Sequence, residues 1–182
     1  EDLGHLLVKQ NRALEALPHL ERATHLDPKL ENAWFTLGRA LAMLGRGAEA
    51  DQAFERCFAL SPERRLMALA AEHQKEGRLD EAEHLYRRIL RHNPRNVDAM
   101  RLLALIALKA ERDGEAEGLL EKAISLAPDF LLAILDLGRL RKEQDRYGEA
   151  LQCFDQAIAL DPANPQAHYL RGSTLAPGSF TH

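Results

Sequence analysis

The chain has 182 residues, 46% of them hydrophobic and 29% charged, with a formal net charge of −4. That apolar share suffices for a core, while the negative balance offers no basic field to nucleic acid or to an anionic membrane surface. The longest strongly apolar stretch, Leu102 to Leu108, is far too short to cross a bilayer, and Cys57 and Cys153 stand far apart with no pairing pattern around either, so both are expected reduced and buried.

Two landmarks recur along the chain. Pro28, Pro62, Pro94, Pro128 and Pro162 are separated by 34, 32, 34 and 34 residues. The pairs Glu15-Ala16, Glu49-Ala50, Glu81-Ala82, Glu115-Ala116 and Glu149-Ala150 keep the same irregular rhythm of 34, 32, 34 and 34. Two independent series in one rhythm define a tandem repeat, with units at 1–30, 31–62, 63–96, 97–130, 131–164 and an incomplete 165–182.

The first unit has Gly4 where a first helix carries its small residue, so the chain opens partway along that helix and a native N-terminus upstream is expected. Pro18 falls inside its second helix, where it removes a bond to Leu14 and is expected to bend the helix. The second unit reads most clearly. Trp34, Leu37, Gly38 and Leu41 share one helical face, Gly45-Arg46-Gly47 breaks the period with residues tolerant of positive φ, and Ala50, Phe54, Cys57 and Leu60 share the next face. Ser61-Pro62 stops that helix and starts another.

The third unit is two residues short, the loss falling between Pro62 and Leu66, and an altered angle is expected between the second and third units. In the fourth, Met100 to Leu108 is apolar nearly all round, so it is either buried on every side or exposes a stripe to a ligand. The fifth carries Ile134, Leu137, Gly138, Ala150, Phe154 and Ala157 in register, and the sixth Tyr169, Gly172 and Leu175 before the chain stops at His182. Gly38, Ala70, Ala104 and Gly138 on first helices, and Ala50, Ala82, Ala116 and Ala150 on second helices, mark a close approach within each pair. The chain is either a fragment of a longer array or an array whose last helix stops at Ala176.

These residues and this spacing resemble the tetratricopeptide repeat family over essentially the whole chain. The resemblance implies an all-α fold: an α-solenoid, a right-handed superhelix of antiparallel helix pairs with about eleven helices. It also implies that first helices line a concave ligand face, which maps here to Phe35, Arg39, Met67, Arg101, Leu105, Leu108, Leu135, Arg139 and Tyr169, with Met43, Gln74 and Asp136 beside them. An apolar groove flanked by Arg39, Arg101 and Arg139 would suit an extended or helical peptide. Family members that grip acidic chaperone tails use lysine, asparagine and arginine on three successive first helices. Frames beginning at the second, third or fourth unit place residues such as Phe35, Ala68, Leu102 and Asp136 there, which speaks against that ligand.

No catalytic chemistry is visible. None of the eight histidines has another four residues away on a helix, and no phosphate loop, nucleophile elbow or Cys-x-x-Cys occurs. The expectation is therefore a non-catalytic scaffold, with no cofactor and no metal, binding a protein or peptide rather than nucleic acid or membrane. With no leader visible, a cytoplasmic location is expected. One alternative is the recruiting array of a larger enzyme, since similar arrays precede sulfotransferase domains in bacterial proteins and glycosyltransferase domains elsewhere, and the Ala176–His182 tail faintly resembles the former. Another is self-association through the open end of the incomplete sixth unit.

Overall fold

The computed structural model describes residues 2–175, and among them it holds eleven α-helices and no strand. They are α1 (Asp2–Lys9), α2 (Ala13–Leu26), α3 (Glu31–Met43), α4 (Gly47–Leu60), α5 (Pro62–Lys75), α6 (Leu79–His92), α7 (Val97–Lys109), α8 (Asp113–Leu126), α9 (Leu131–Glu143), α10 (Tyr147–Leu160) and α11 (Pro165–Leu175). The Ala176–His182 tail lies outside the described residues.

Each helix pair is closed by a three-residue turn whose middle residue has positive φ: Asn11 at 61°, Gly45 at 73°, Gly77 at 79°, Glu111 at 56° and Asp145 at 59°. The left-handed residue lets the backbone fold back on the helix it ends. In the α3–α4 turn, Gly45 N donates to Ala42 O at 3.0 Å and Arg46 N to Leu41 O at 2.9 Å, which satisfies carbonyls the helix end would otherwise leave open. The same two bonds recur at the α9–α10 turn, from Asp145 N to Lys142 O at 3.1 Å and from Arg146 N to Arg141 O at 2.9 Å.

Between pairs, the connection normally takes four residues, as in Asp27–Leu30 between α2 and α3. Side chains set its shape: Asp27 Oδ1 accepts from Lys29 N at 3.0 Å, Asn93 Oδ1 from Arg95 N at 3.2 Å and Asp161 Oδ1 from Ala163 N at 3.3 Å. The α4–α5 connection is different, because Ser61 alone joins the two helices and Pro62 already belongs to α5. The connection loses three residues and α5, at 14 residues, gains one over the 13 of α3, α7 and α9, which accounts for the short third repeat. Pro18 does not interrupt α2, which runs continuously through it.

The molecule divides into two compact units, up to Leu69 and from Ala70 onward, with the division inside α5. Each has its own core. In the first unit, Leu7, Val8, Leu17 and Leu20 from α1 and α2 pack with Leu37, Ala40, Leu41 and Ala53 from α3 and α4, and Trp34 and Phe54 close the cluster. In the second, Met100, Ala104, Leu120, Ile134, Leu137 and Phe154 run through α7 to α10, and α11 adds Ala167 and Leu170. Burying each such large apolar side chain contributes about 1.5–3 kcal/mol. Helix α5 buries only Ala70, so the helix that carries the division also has the thinnest apolar face.

Glycine and alanine occupy the close approaches. A Cβ on Gly38 would lie 2.7 Å from Phe54 Cε1, and one on Gly4 would lie 2.7 Å from Leu20 Cγ. Ala50, Ala82, Ala116 and Ala150 are all buried on the opposing helices.

Candidate functional site

In the first unit, the first helices α1, α3 and the start of α5 line a groove of about 610 Å³. His5, Leu6 and Lys9 come from α1, Asn32, Phe35, Thr36 and Arg39 from α3, and Arg64 from α5. Their register follows from helical spacing, since residues three, four and seven apart share one face. Four of the eight are basic or potentially basic, and none is acidic. Arg64 is fixed in place: its guanidinium carbon sits 5.1 Å from the centre of the Phe35 ring, it hydrogen-bonds Asn32, and its Nε lies 4.0 Å from Glu31 Oε2. Phe35 in turn meets Phe54 edge to face, with ring centres 5.8 Å apart. The groove thus offers a half-buried aromatic ring between cations.

Phe35 and Arg39 line this groove, whereas Met67 is half-buried on α5 and does not line it. His5, Lys9 and Arg64 were not anticipated. The signal for His5 and Lys9 is their spacing of four residues on one face of the first helix.

The second unit changes the reading of its own candidates. Arg101 and Arg139 do not flank a groove as free cations. Arg101 Nε is 2.6 Å from Asp136 Oδ2 and Arg139 Nη2 is 3.0 Å from Asp136 Oδ1, and Asp136 is only 4% exposed. A buried carboxylate needs such neutralisation, and both arginines pair with it, although Arg139 stays 41% exposed. Leu135 is corrected outright: it is 1% exposed and belongs to the same core cluster as Ala167 and Leu170 of α11. Leu105 and Leu108 are half-buried, Leu108 packing against that core, and Tyr169 is exposed. Along α7, Ala99, Met100, Leu103, Ala104, Ile106 and Ala107 are buried, so most of this apolar helix serves packing.

A third periodic landmark escaped the sequence reading. Every turn within a pair ends in arginine: Arg12, Arg46, Arg78, Arg112 and Arg146, again 34, 32, 34 and 34 residues apart. Four of them pair with the glutamate three residues on, which explains the Glu-Ala landmark: Arg12–Glu15 at 2.6 Å, Arg46–Glu49 at 2.6 Å, Arg112–Glu115 at 2.8 Å and Arg146–Glu149 at 2.7 Å. In the second unit the arginines also reach the preceding repeat, Arg112 to Glu83 at 2.7 Å and Arg146 to Glu117 at 2.9 Å. The hydrogen bond from Arg112 holds Glu83 below the usual carboxylate range, and that from Arg146 does the same for Glu117.

Burial raises the thiols of Cys57 and Cys153 above their ordinary range. Among the described residues no three His, Cys, Asp or Glu side chains converge as metal ligands, and no helix is long and apolar enough to cross a membrane.

Residues 27–130 match the family model described as the cytochrome c-type biogenesis protein H TPR domain, and residues 138–176 match the TPR repeat model. Cytochrome c-type biogenesis protein CycH of Pseudomonas aeruginosa is 30% identical over 167 residues, which cover 88% of this chain and 39% of CycH. The chain also matches O-mannosyl-transferases and adenylyltransferases of human, mouse and nematode origin, and it spans only 11–20% of those proteins. Among solved structures, the thermophilic TPR protein TTC0263 of Thermus thermophilus superposes with a TM-score of 0.65 at 24% identity, covering 96% of each chain. The second TPR domain of human RPAP3, in complex with the HSP70 peptide SGPTIEEVD, superposes with a TM-score of 0.57 at 25% identity, covering 61% of this chain and 92% of that domain.

Proposed function

The chain belongs to the tetratricopeptide repeat family, and on that premise we propose that it is a non-catalytic protein-interaction module that holds a peptide segment against its first helices. The observation that carries this reading is the groove of the first unit, where Phe35 and Leu6 offer apolar surface among His5, Lys9, Arg39 and Arg64. Its chemistry suits a segment with an apolar side chain between carboxylates. Solved relatives support peptide binding as an activity of the fold, the RPAP3 domain with its HSP70 peptide among them.

The test is a calorimetric titration with blocked peptides of the pattern Glu-Asp-Leu-Asp-Glu, against the same peptide with lysines in place of the acids. The acidic peptide should bind and weaken as salt rises. Arg39→Glu should abolish the binding, because it inverts charge at the rim without touching the core. Equal binding of both peptides, or no effect of Arg39→Glu, would remove this reading.

A second reading, the recruiting array of a larger transferase, draws on the O-mannosyl-transferase and adenylyltransferase relatives. Reading the parent frame beyond His182 tests it. A catalytic domain there supports it, and a stop codon within one further repeat removes that arrangement.

A further inference from the structure

The first unit has a second concavity, a cleft of about 870 Å³ between the second helices α2 and α4, floored by Trp34, Leu37 and Leu41 of α3. Glu21 stands on the α2 wall, and Glu49, Asp51 and Glu55 on the α4 wall, with Arg56 the sole basic residue in the lining. It lies on the face of the second helices, apart from the groove of α1, α3 and α5.

The second unit contains the same cleft between α8 and α10, offset by 100 residues as Pro128 is from Pro28, and it is smaller, at about 320 Å³. There the position of Leu41 is taken by Arg141, which is 14% exposed and rises from the floor into the cleft. Its Nη2 is 2.7 Å from Glu121 Oε1, its Nε is 3.2 Å from Glu117 Oε1 and 3.6 Å from Glu149 Oε2, and its Nη1 is 3.7 Å from Cys153 Sγ. The second unit closes its cleft with a cation of its own.

In the first unit two of the three carboxylates remain and the cation on the floor is gone, while Arg56 stands on the α4 wall where the second unit has Gln156. Glu121 corresponds to Glu21 and Glu149 to Glu49, while Arg141 corresponds to Leu41 and Glu117 to Leu17. Glu49 is held by Arg46 at 2.6 Å just as Glu149 is held by Arg146 at 2.7 Å, so the wall is built alike in both units. Glu21 forms no ion pair within 4 Å among the described residues, and its charge acts at longer range on Arg46. The indole of Trp34 is pinned by a bond from its Nε1 to Pro28 O at 2.9 Å, and it lines the cleft.

We propose that this cleft is a binding site for a polypeptide presenting an arginine side chain, whose guanidinium pairs with Glu21 over the Trp34, Leu37 and Leu41 floor, as Arg141 pairs with Glu121 in the second unit. The acid-rich walls select a cation, and the aromatic floor favours the planar guanidinium over an ammonium. The site is independent of the acidic-peptide groove and opposite to it in charge preference.

Trp34 is the only tryptophan in the chain, so its fluorescence reports on the cleft directly. The probe is the blocked peptide acetyl-Leu-Ala-Arg-Ala-Leu-amide, titrated against the intact chain. The same peptide with citrulline in place of arginine keeps the shape and removes the charge. A saturable change in emission is expected, with affinity at least about tenfold weaker for the citrulline peptide and for Glu21→Gln. Leu41→Arg, which supplies the cation from within, should remove the response. Glu21 is exposed, so Glu21→Gln decides the matter even if Leu41→Arg fails to fold. Arg39→Glu, in the other groove, should leave the titration unchanged. The proposal is overturned by equal affinity for the citrulline peptide or for Glu21→Gln, by loss of the response in Arg39→Glu, or by no saturable change up to about 1 mM peptide.

Discussion

Phe154 occupies the space that a side chain on Gly138 would need: a Cβ there would lie 2.5 Å from Phe154 Cε1 and 3.0 Å from Cys153 Cβ. Phe154 is fully buried, so it has no solvent to retreat into. Gly138→Ala is therefore expected to destabilise the second unit by about 1–3 kcal/mol, despite the better helix propensity of alanine. Gly172 is the control. It holds the equivalent place on α11, and a Cβ there meets nothing within 4 Å. Gly172→Ala should stabilise by up to about 1 kcal/mol. Urea melts of the two variants check this, and shifts of the same sign would contradict the packing.

The turns give a second contrast. Glu111 and Asp145 adopt φ of 56° and 59° where Gly45 and Gly77 have 73° and 79°. The left-handed conformation costs a non-glycine residue about 1–2 kcal/mol, partly offset by the entropy glycine loses on folding. Glu111→Gly should thus raise the thermal midpoint, and Gly45→Ala should lower it. Neither side chain is needed for the bonds that close the turn, since those run between backbone atoms.

How much of this was legible from sequence depends on range. The helix pairs, the turn of the second unit and the small residues at the close approaches were readable, because each is encoded within one repeat and then copied. The two-residue deletion could be located, although its absorption into the connection at Ser61 required coordinates. The candidate surface was only partly readable. Aligning the repeats puts Leu135 at the same helical phase as Phe35, but its fate depends on its neighbours, and it is buried in the core cluster that α11 joins through Ala167 and Leu170. Arg101 and Arg139 looked alike as surface cations for the same reason, since their shared partner Asp136 lies 35 residues from the first and three from the second. Periodicity records what every repeat shares, whereas a binding surface is made of what they do not.

The Asp136 cluster should behave as a buried charge and not as a surface pair. Asp136→Ala leaves Arg101, 19% exposed, without its carboxylate, and is expected to cost about 3–5 kcal/mol. Arg139→Ala removes only the more exposed partner, 41% accessible, and should cost about 1 kcal/mol or less. The pair of substitutions, followed by denaturant unfolding, separates the two; equal losses would mean that both arginines bear equally on the acid.

Acid should loosen the arginine–glutamate ladder of the second unit in a defined direction. Glu83 and Glu117 are held below the ordinary carboxylate range by Arg112 and Arg146. A carboxylate with a depressed folded-state value binds its proton more readily when unfolded. Its contribution is complete above the unfolded value, about 4.3 for glutamate, and is lost as pH falls through the lower, folded value. Stability should therefore be flat from neutrality to about pH 5 and decline below it. Glu117→Gln removes one such group, including its contacts to both Arg146 and Arg141 at 2.9 and 3.2 Å. The variant should be less stable than the parent at pH 7, with the gap narrowing as the solution is acidified. Unfolding free energies measured by urea at a series of pH values test this. A gap that stays constant down to pH values where the parent carboxylate is protonated would show that Glu117 acts through packing and not through its charge.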